Sequence, residues 1–198
     1  MIPDVDAWQP WPPSVVADRL ADLDVPWCVA AGWAIDLCRG EPSRPHHDLE
    51  IAVPADRFDE VRERFADCDF AVPQDGRLIP LTAESMRTGH QTWAYERGIG
   101  RWRVDVFREP HDGEVWICRR DPRIRRPYAE IVRRDPAGIP YLAPEVVLLF
   151  KAKAARTKDE LDFATTLPLL DDAARRWLDD ALTLVHPVHP WRARLRTG

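Results

Sequence analysis

Two carboxylates stand two residues apart in the segment Asp48-Leu49-Glu50-Ile51-Ala52-Val53. The alternation predicts a strand over 48–53, with both acids on one face about 7 Å apart along the backbone and Leu49, Ile51 and Val53 turned to a core. Carboxylates held at that spacing on a rigid element suit a hard divalent cation. Mg²⁺ takes one or two carboxylates and shares the rest of its shell with substrate phosphates. A strand with a solvated acidic face has the same pattern, so the pair needs support from elsewhere. Gly32 lies in a turn between an apolar strand at 27–30 and a helix at 33–39, where unpaired N–H groups and the helix dipole attract phosphate. Asp105 interrupts the apolar run Val104-Asp105-Val106, and a buried carboxylate is costly unless it is paired or metal-bound. Lys151 and Lys153 sit near the start of a predicted helix, within reach of a triphosphate; with Lys158 they are the only lysines in the chain.

The elements that must position these residues follow from periodicity. A first helix is expected over 14–23, with Ser14 as its N-cap. The strand at 27–30 and the helix at 33–39, ended by Gly40, come next, then a loop and the strand at 48–53. A third helix covers 55–65. Weaker strands fall at 70–72, 78–81 and 91–95, and a stronger one at 102–107, where Arg103, Asp105 and Phe107 share a face. Further strands are expected at 115–118, 128–132 and 139–142. From Pro144 the pattern turns helical, with helices opening at 144, 158 and 171. The chain thus reads as α/β (α+β), a mixed sheet flanked by helices. Residues 1–143 form a core and residues 144–198 a C-terminal helical segment.

Composition narrows the partners. A net charge of −5 and a pI of about 5.7 argue against a nucleic-acid binder and fit a cationic acceptor. The four cysteines are dispersed with no C-x-x-C pair, which excludes the common zinc and redox motifs. The acidic, proline-rich start has none of the features of a secretory leader, and no apolar run reaches membrane-spanning length, so a cytoplasmic location is expected.

The run Ala31-Gly32-Trp33-Ala34-Ile35-Asp36, followed by Arg44-x-His46-x-Asp48-x-Glu50, resembles the signature of the aminoglycoside-2''-adenylyltransferase-like family. That family is part of the DNA-polymerase-β-type nucleotidyltransferase superfamily. Its pattern is Gly-Gly-Trp-Ala-Ile-Asp, a loop, and Arg-x-His-x-Asp-x-Asp. The stretch from Pro144 through Lys151 and Lys153 to Arg156, Lys158, Asp159 and Asp162 is similar to the C-terminal part of such proteins, so the resemblance spans roughly 14–170. It implies a polymerase-β-like fold and Mg²⁺-dependent transfer of a nucleoside monophosphate, AMP from ATP, onto a hydroxyl of a small molecule such as an aminoglycoside-like antibiotic. By the same resemblance Asp48, Glu50 and Asp105 hold metal, Asp105 alternatively serving as the base. Gly32, Trp33, Arg44, Lys151 and Lys153 form the nucleotide-binding set.

Two positions depart from the pattern: Ala31 stands for the first glycine, and Glu50 for an aspartate. They motivate a non-catalytic nucleotide-binding relative as an alternative; transfer onto RNA or protein, as in toxin–antitoxin systems, is another. His46 fixes the loop or shuttles a proton next to Asp48, with His47 beside it, and Asp36 is expected to anchor the loop. Glu130 is a rival base if it faces the cleft. Arg156, Lys158, Asp159 and Asp162 have the spacing of a helical ion-pair network. The nine tryptophans pack the core or offer stacking surfaces.

Overall fold

The computed structural model describes residues 4–197. In chain order its elements are α1 Pro13–Arg19, β1 Cys28–Val29, α2 Ala31–Arg39, β2 Glu50–Pro54, α3 Phe58–Arg64, β3 Cys68–Gln74, β4 Arg77–Pro80, α4 Ala83–Thr88, β5 Gln91–Glu96 and β6 Arg101–Glu109. There follow β7 His111–Asp112, β8 Val115–Ile117, β9 Arg125–Pro127, α5 Tyr128–Ile131, β10 Val132–Arg134 and β11 Pro140–Leu142. The last helices are α6 Pro144–Lys151, α7 Thr157–Thr166, α8 Asp172–Val185 and α9 Trp191–Arg196. Eight strands form a mixed sheet in the order β10-β11-β1-β2-β6-β5-β3-β4, and β7-β8-β9 make a second, antiparallel sheet. The pairs β2–β6 and β1–β11 are parallel. This is the expected mixed sheet flanked by helices.

Leu49, Ile51 and Val53 are buried, as their alternation requires. α6 is sunk in the core from Pro144 to Leu149, which explains its nearly unbroken apolar sequence. Glu145 is buried with it and accepts hydrogen bonds from Arg126 at 2.8 Å and Arg133 at 3.3 Å, the pairing a buried carboxylate needs. α8 buries Ala174, Leu178, Ala181 and Leu182 along one stripe and is capped by Asp171, which accepts from the Ala174 N–H at 2.8 Å. Trp191 of α9 stacks on Phe163 of α7 with ring centroids 4.2 Å apart.

Several elements differ from the sequence expectation. The first helix starts at Pro13 after Pro12, and Ser14 does not cap it; a proline with preset φ opens it instead. β2 starts at Glu50, so Asp48 precedes the strand rather than belonging to it. The expected strand at 128–132 is a single helical turn followed by β10. Its apolar residues, Tyr128 and Ile131, are three apart and both buried, whereas Ala129 and Glu130 are exposed, which is helical spacing. β6 runs two residues beyond the expected strand, to Glu109.

Candidate active site

The site is built on the passage from α2 through the following loop into β2. α2 opens at Ala31 rather than Trp33, so Gly32 lies inside its first turn. Ala31 has a φ of 49°, the left-handed region where glycine is at ease and a methyl group is strained. Gly32 has a different role. A Cβ there would lie 2.6 Å from His46 Cε1 and 2.7 Å from an Arg44 nitrogen. The missing side chain is therefore the seat on which the returning loop packs.

Four contacts from α2 fix that loop. His46 Nε2 is 2.7 Å from Asp36 Oδ2, and Ser43 Oγ donates to the other oxygen of Asp36. Trp33 stacks on the His46 ring at 4.6 Å and donates its indole N–H to the carbonyl of Asp48 at 3.1 Å. With Asp36 and His46 both buried, this clamp sets the backbone from which the Asp48 carboxylate projects. His47 is exposed.

Glu50 pairs in register with Asp105 on the adjacent parallel strand β6, so their side chains emerge on one face of the sheet. Asp105 is 4% exposed; Oδ2 accepts from Gln91 Nε2 at 2.5 Å, while Oδ1 is buried with no hydrogen-bond partner. Burial, with the negative Asp48 and Asp105 next in importance, pushes the Glu50 carboxyl up to about 8, although Lys151 pulls it back. Burial likewise raises Asp105 to about 7, against the Gln91 amide, with Asp48 adding to the rise. Asp48 and Asp105 thus both act on Glu50 through space, and Lys151 offsets only part of their effect. An orphaned buried oxygen and two carboxyls held above their ordinary range are what a bound cation would correct. Among the described residues no three His, Cys, Asp or Glu side chains close on a single point. The donor set therefore fits a hard cation that takes its remaining oxygens from a substrate, not one enclosed by protein alone.

Two clefts meet at this spot, both bordered by Asp48 and Glu50. The first, of about 460 Å³, runs between the sheet and α6 and is ringed by Arg44, Arg119, Arg120, Lys151, Lys153, Arg156 and Lys158. The second, of about 590 Å³, runs along β5 and β6 and is lined by Asp6, Asp75 and Asp105, with Arg77 its only cation among the described residues and Trp8 and Trp93 as walls. The aromatic walls and Asp6, Asp75, Gln91, Arg119 and Arg120 escaped sequence reasoning, since chain segments far apart in number bring them together.

The expected nucleotide side is brought to the first cleft in part. Gly32, Arg44, Lys151 and Lys153 line it; Trp33 does not, and acts instead through Asp48. Lys151 is held by Asp159 at 3.1 Å and Asp162 at 2.7 Å, so its charge is largely committed, and Arg44 lies 3.8 Å from Asp162. Arg156 pairs with Asp159 at 2.9 Å yet stays exposed, as do Lys153 and Lys158. Glu130 is corrected: it is exposed, pairs with Arg126 and borders neither cleft, because its segment is helical. The buried acid that does face the first cleft is Glu109, on the face of β6 that carries Asp105; the alternation Asp105-x-Phe107-x-Glu109 was its signal.

Residues 14–89 match the model of the family described as aminoglycoside-2''-adenylyltransferase. No curated protein matches the chain. Among solved structures, the solution structure of the antibiotic-resistance factor ANT(2'')-Ia aligns with a TM-score of 0.57 and 14% identity over 85% of this chain and 88% of that one. The crystal structure of ANT(2'')-Ia in complex with adenylyl-2''-tobramycin gives 0.54 and 12% over 85% and 94%. The lincomycin-bound lincosamide antibiotic adenylyltransferase LnuA gives 0.53 and 16% over 76% and 91%. The chain thus has the nucleotidyltransferase fold. The family likeness rests on a stretch that carries Gly32, Asp48 and Glu50 and stops short of Asp105.

Proposed function

We propose that this chain transfers a nucleoside monophosphate, AMP from ATP, onto a hydroxyl of a cationic small molecule, an aminoglycoside-like antibiotic being the model acceptor. The observation that carries the reading is the position of Asp48 and Glu50 on the common border of a basic cleft and an acidic one. A triphosphate is attracted to the first and a polycation to the second. A polyanionic RNA acceptor would meet the carboxylates of the second cleft, which disfavours transfer onto nucleic acid.

In this reading Asp48 and Glu50 hold Mg²⁺, with Asp105 completing the set or acting as base. The ion when bound supplies neutralisation of charge on the transferred phosphoryl group and on the pyrophosphate that leaves. The exposed Lys153, Arg156 and Lys158 draw in the triphosphate, and Arg44 and Lys151 border its path. The unpaired Oδ1 of Asp105 accepts the proton of the acceptor hydroxyl as that oxygen attacks. Residues 1–143 act as the transferase core, and residues 144–198 supply the far wall of the donor cleft. Among the described residues no helix is long and apolar enough to cross a membrane, and the proposed setting is cytoplasmic.

The test is pyrophosphate release from ATP with Mg²⁺ across a panel of aminoglycoside, lincosamide and neutral acceptors, beside Asp48→Ala. Turnover confined to cationic acceptors and lost in the variant supports the reading. Nucleotide binding without turnover on any acceptor favours the non-catalytic alternative, for which the strained Ala31 and the longer Glu50 speak.

A further inference from the structure

Asp105 is held by more than the strand it sits on. The last torsion of an aspartate side chain is broad, so strand register alone does not decide which carboxylate oxygen faces a neighbour. One donor decides it. Gln91 Nε2 donates to Asp105 Oδ2 at 2.5 Å, across from β5 to β6, and Oδ1 is left buried with no partner. Gln91 is the first residue of β5 and pairs with Phe107. This entry to the strand is pinned from the other face of β6. There Arg108, 6% exposed, donates to the carbonyls of Met86 and Gly89 at 2.7 Å each and to Thr92 Oγ1 at 2.9 Å. A rival donor stands close by. Trp93 lies opposite Asp105 in the β5–β6 ladder, so the two side chains share a face, and its indole N–H is buried with no partner.

We propose that Gln91 is a positioning residue for the transfer step: its amide ties Oδ2, keeps the carboxylate off the Trp93 indole and aims the free Oδ1 at the acceptor hydroxyl. The proposal rests on the reading of Asp105 as the proton acceptor. In that step the hydroxyl proton passes to Oδ1 as the oxygen bonds to the α-phosphorus and the bond to pyrophosphate breaks. A neutral amide suits the task. An arginine or lysine in its place would form a charge-assisted pair about twice as strong and would neutralise the charge that takes the proton. A buried acceptor without a partner is costly, so Oδ1 stays in that state only while another group holds the carboxylate plane. Gln91 and Asp105 both border the acidic cleft, which places the aim on the acceptor side.

The experiment is steady-state kinetics of the full chain with Mg-ATP and the best acceptor of the panel above, for Gln91→Met, Asp105→Asn and the double variant. Methionine matches glutamine in length and lacks the donor, and Gln91 is only half-buried. Gln91→Met is expected to lower kcat about 10- to 100-fold, the scale of a misaimed reacting group, with KM for ATP unchanged. In the Asp105→Asn background the same substitution is expected to change kcat by less than about twofold. Equal loss in both backgrounds, or no loss in either, makes Gln91 a mere strand residue and overturns the proposal. A second readout needs no acceptor. In a proton–nitrogen correlation spectrum the Trp93 indole resonance, assigned with Trp93→Phe, is expected to move downfield in Gln91→Met as Asp105 turns to it. The other indole resonances, unmoved, certify the fold. A stationary Trp93 resonance overturns the proposal whatever the kinetics. If the wild type modifies no acceptor and the resonance moves, the transferase reading fails and the hold of Gln91 on Asp105 stands.

Discussion

The two clefts that share Asp48 and Glu50 differ in how they were assembled. The basic one is made largely by recruitment: α6, α7 and the second sheet bring arginines and lysines over a β2–β6 floor that carries the acids. The acidic one belongs to the sheet itself and to the segment before α1, with Asp105, Gln91 and Trp93 on neighbouring strands and Asp6 and Trp8 laid across them. One protein surface thus places opposite fields on either side of a single carboxylate pair. On the proposed reading, the carboxylate pair alone does not define donor and acceptor sides; the unlike walls do.

The largest effect that would test this division is at Asp105, the one member of the acid set that lines only the acidic cleft. Asp105→Asn is expected to lower kcat by about 10²- to 10³-fold, the scale for loss of one preorganised electrostatic group, while leaving Mg-ATP affinity nearly unchanged. Steady-state kinetics beside calorimetry reads both. An equal loss of nucleotide affinity would move Asp105 to the donor side.

Next comes pH. Glu50 and Asp105 titrate at about 8 and about 7 in the folded protein, above their ordinary values of 4.5 and 3.8. The native state therefore binds more protons than the unfolded one across this range. The metal-free protein is expected to hold its full stability below about pH 4 and to lose part of it as pH rises toward about 8. Denaturant midpoints across that window measure the slope, and Glu50→Gln or saturating Mg²⁺ is expected to flatten it. A midpoint that rises with pH would remove the crowding argument.

Smaller effects come from the walls. Asp6→Asn and Asp75→Asn are expected to raise KM for a cationic acceptor about two- to fivefold each without changing KM for ATP, on the scale of exposed charge pairs. Arg156→Ala and Lys158→Ala should do the reverse. If either pair moves both constants, the clefts are not separate.

The smallest effect is at Ala31. Ala31→Gly is expected to stabilise the fold by about 1 kcal/mol, since it relieves a left-handed alanine at the cost of some chain entropy. Thermal unfolding measures it. Unchanged or lowered stability would mean that the strain is absorbed elsewhere.

Much of this arrangement was legible without coordinates. Leu49, Ile51 and Val53 announced a strand with one buried side, and Val104-Asp105-Val106 announced an acid in an apolar setting, because alternation depends only on neighbours two apart. The signature around Gly32 and Asp48 also announced a loop returning to a helix. Glu109 was missed because the strand was ended at Phe107, two residues early. Glu130 is misplaced by the alternation of Tyr128, Glu130 and Val132, which suits a strand, whereas the buried pair is Tyr128 and Ile131, three apart.

The sequence by itself determined the acids, their spacing, the buried faces and the order of elements, all of which are local or periodic properties. Only the tertiary structure decided that Gly32 is a seat for His46 and Arg44, that Lys151 is spent on Asp159 and Asp162, and that Trp8 and Asp6 wall a cleft with Trp93. Those pairings join residues remote in the chain, and no local period encodes which distant side chain arrives to neutralise a charge or fill a gap.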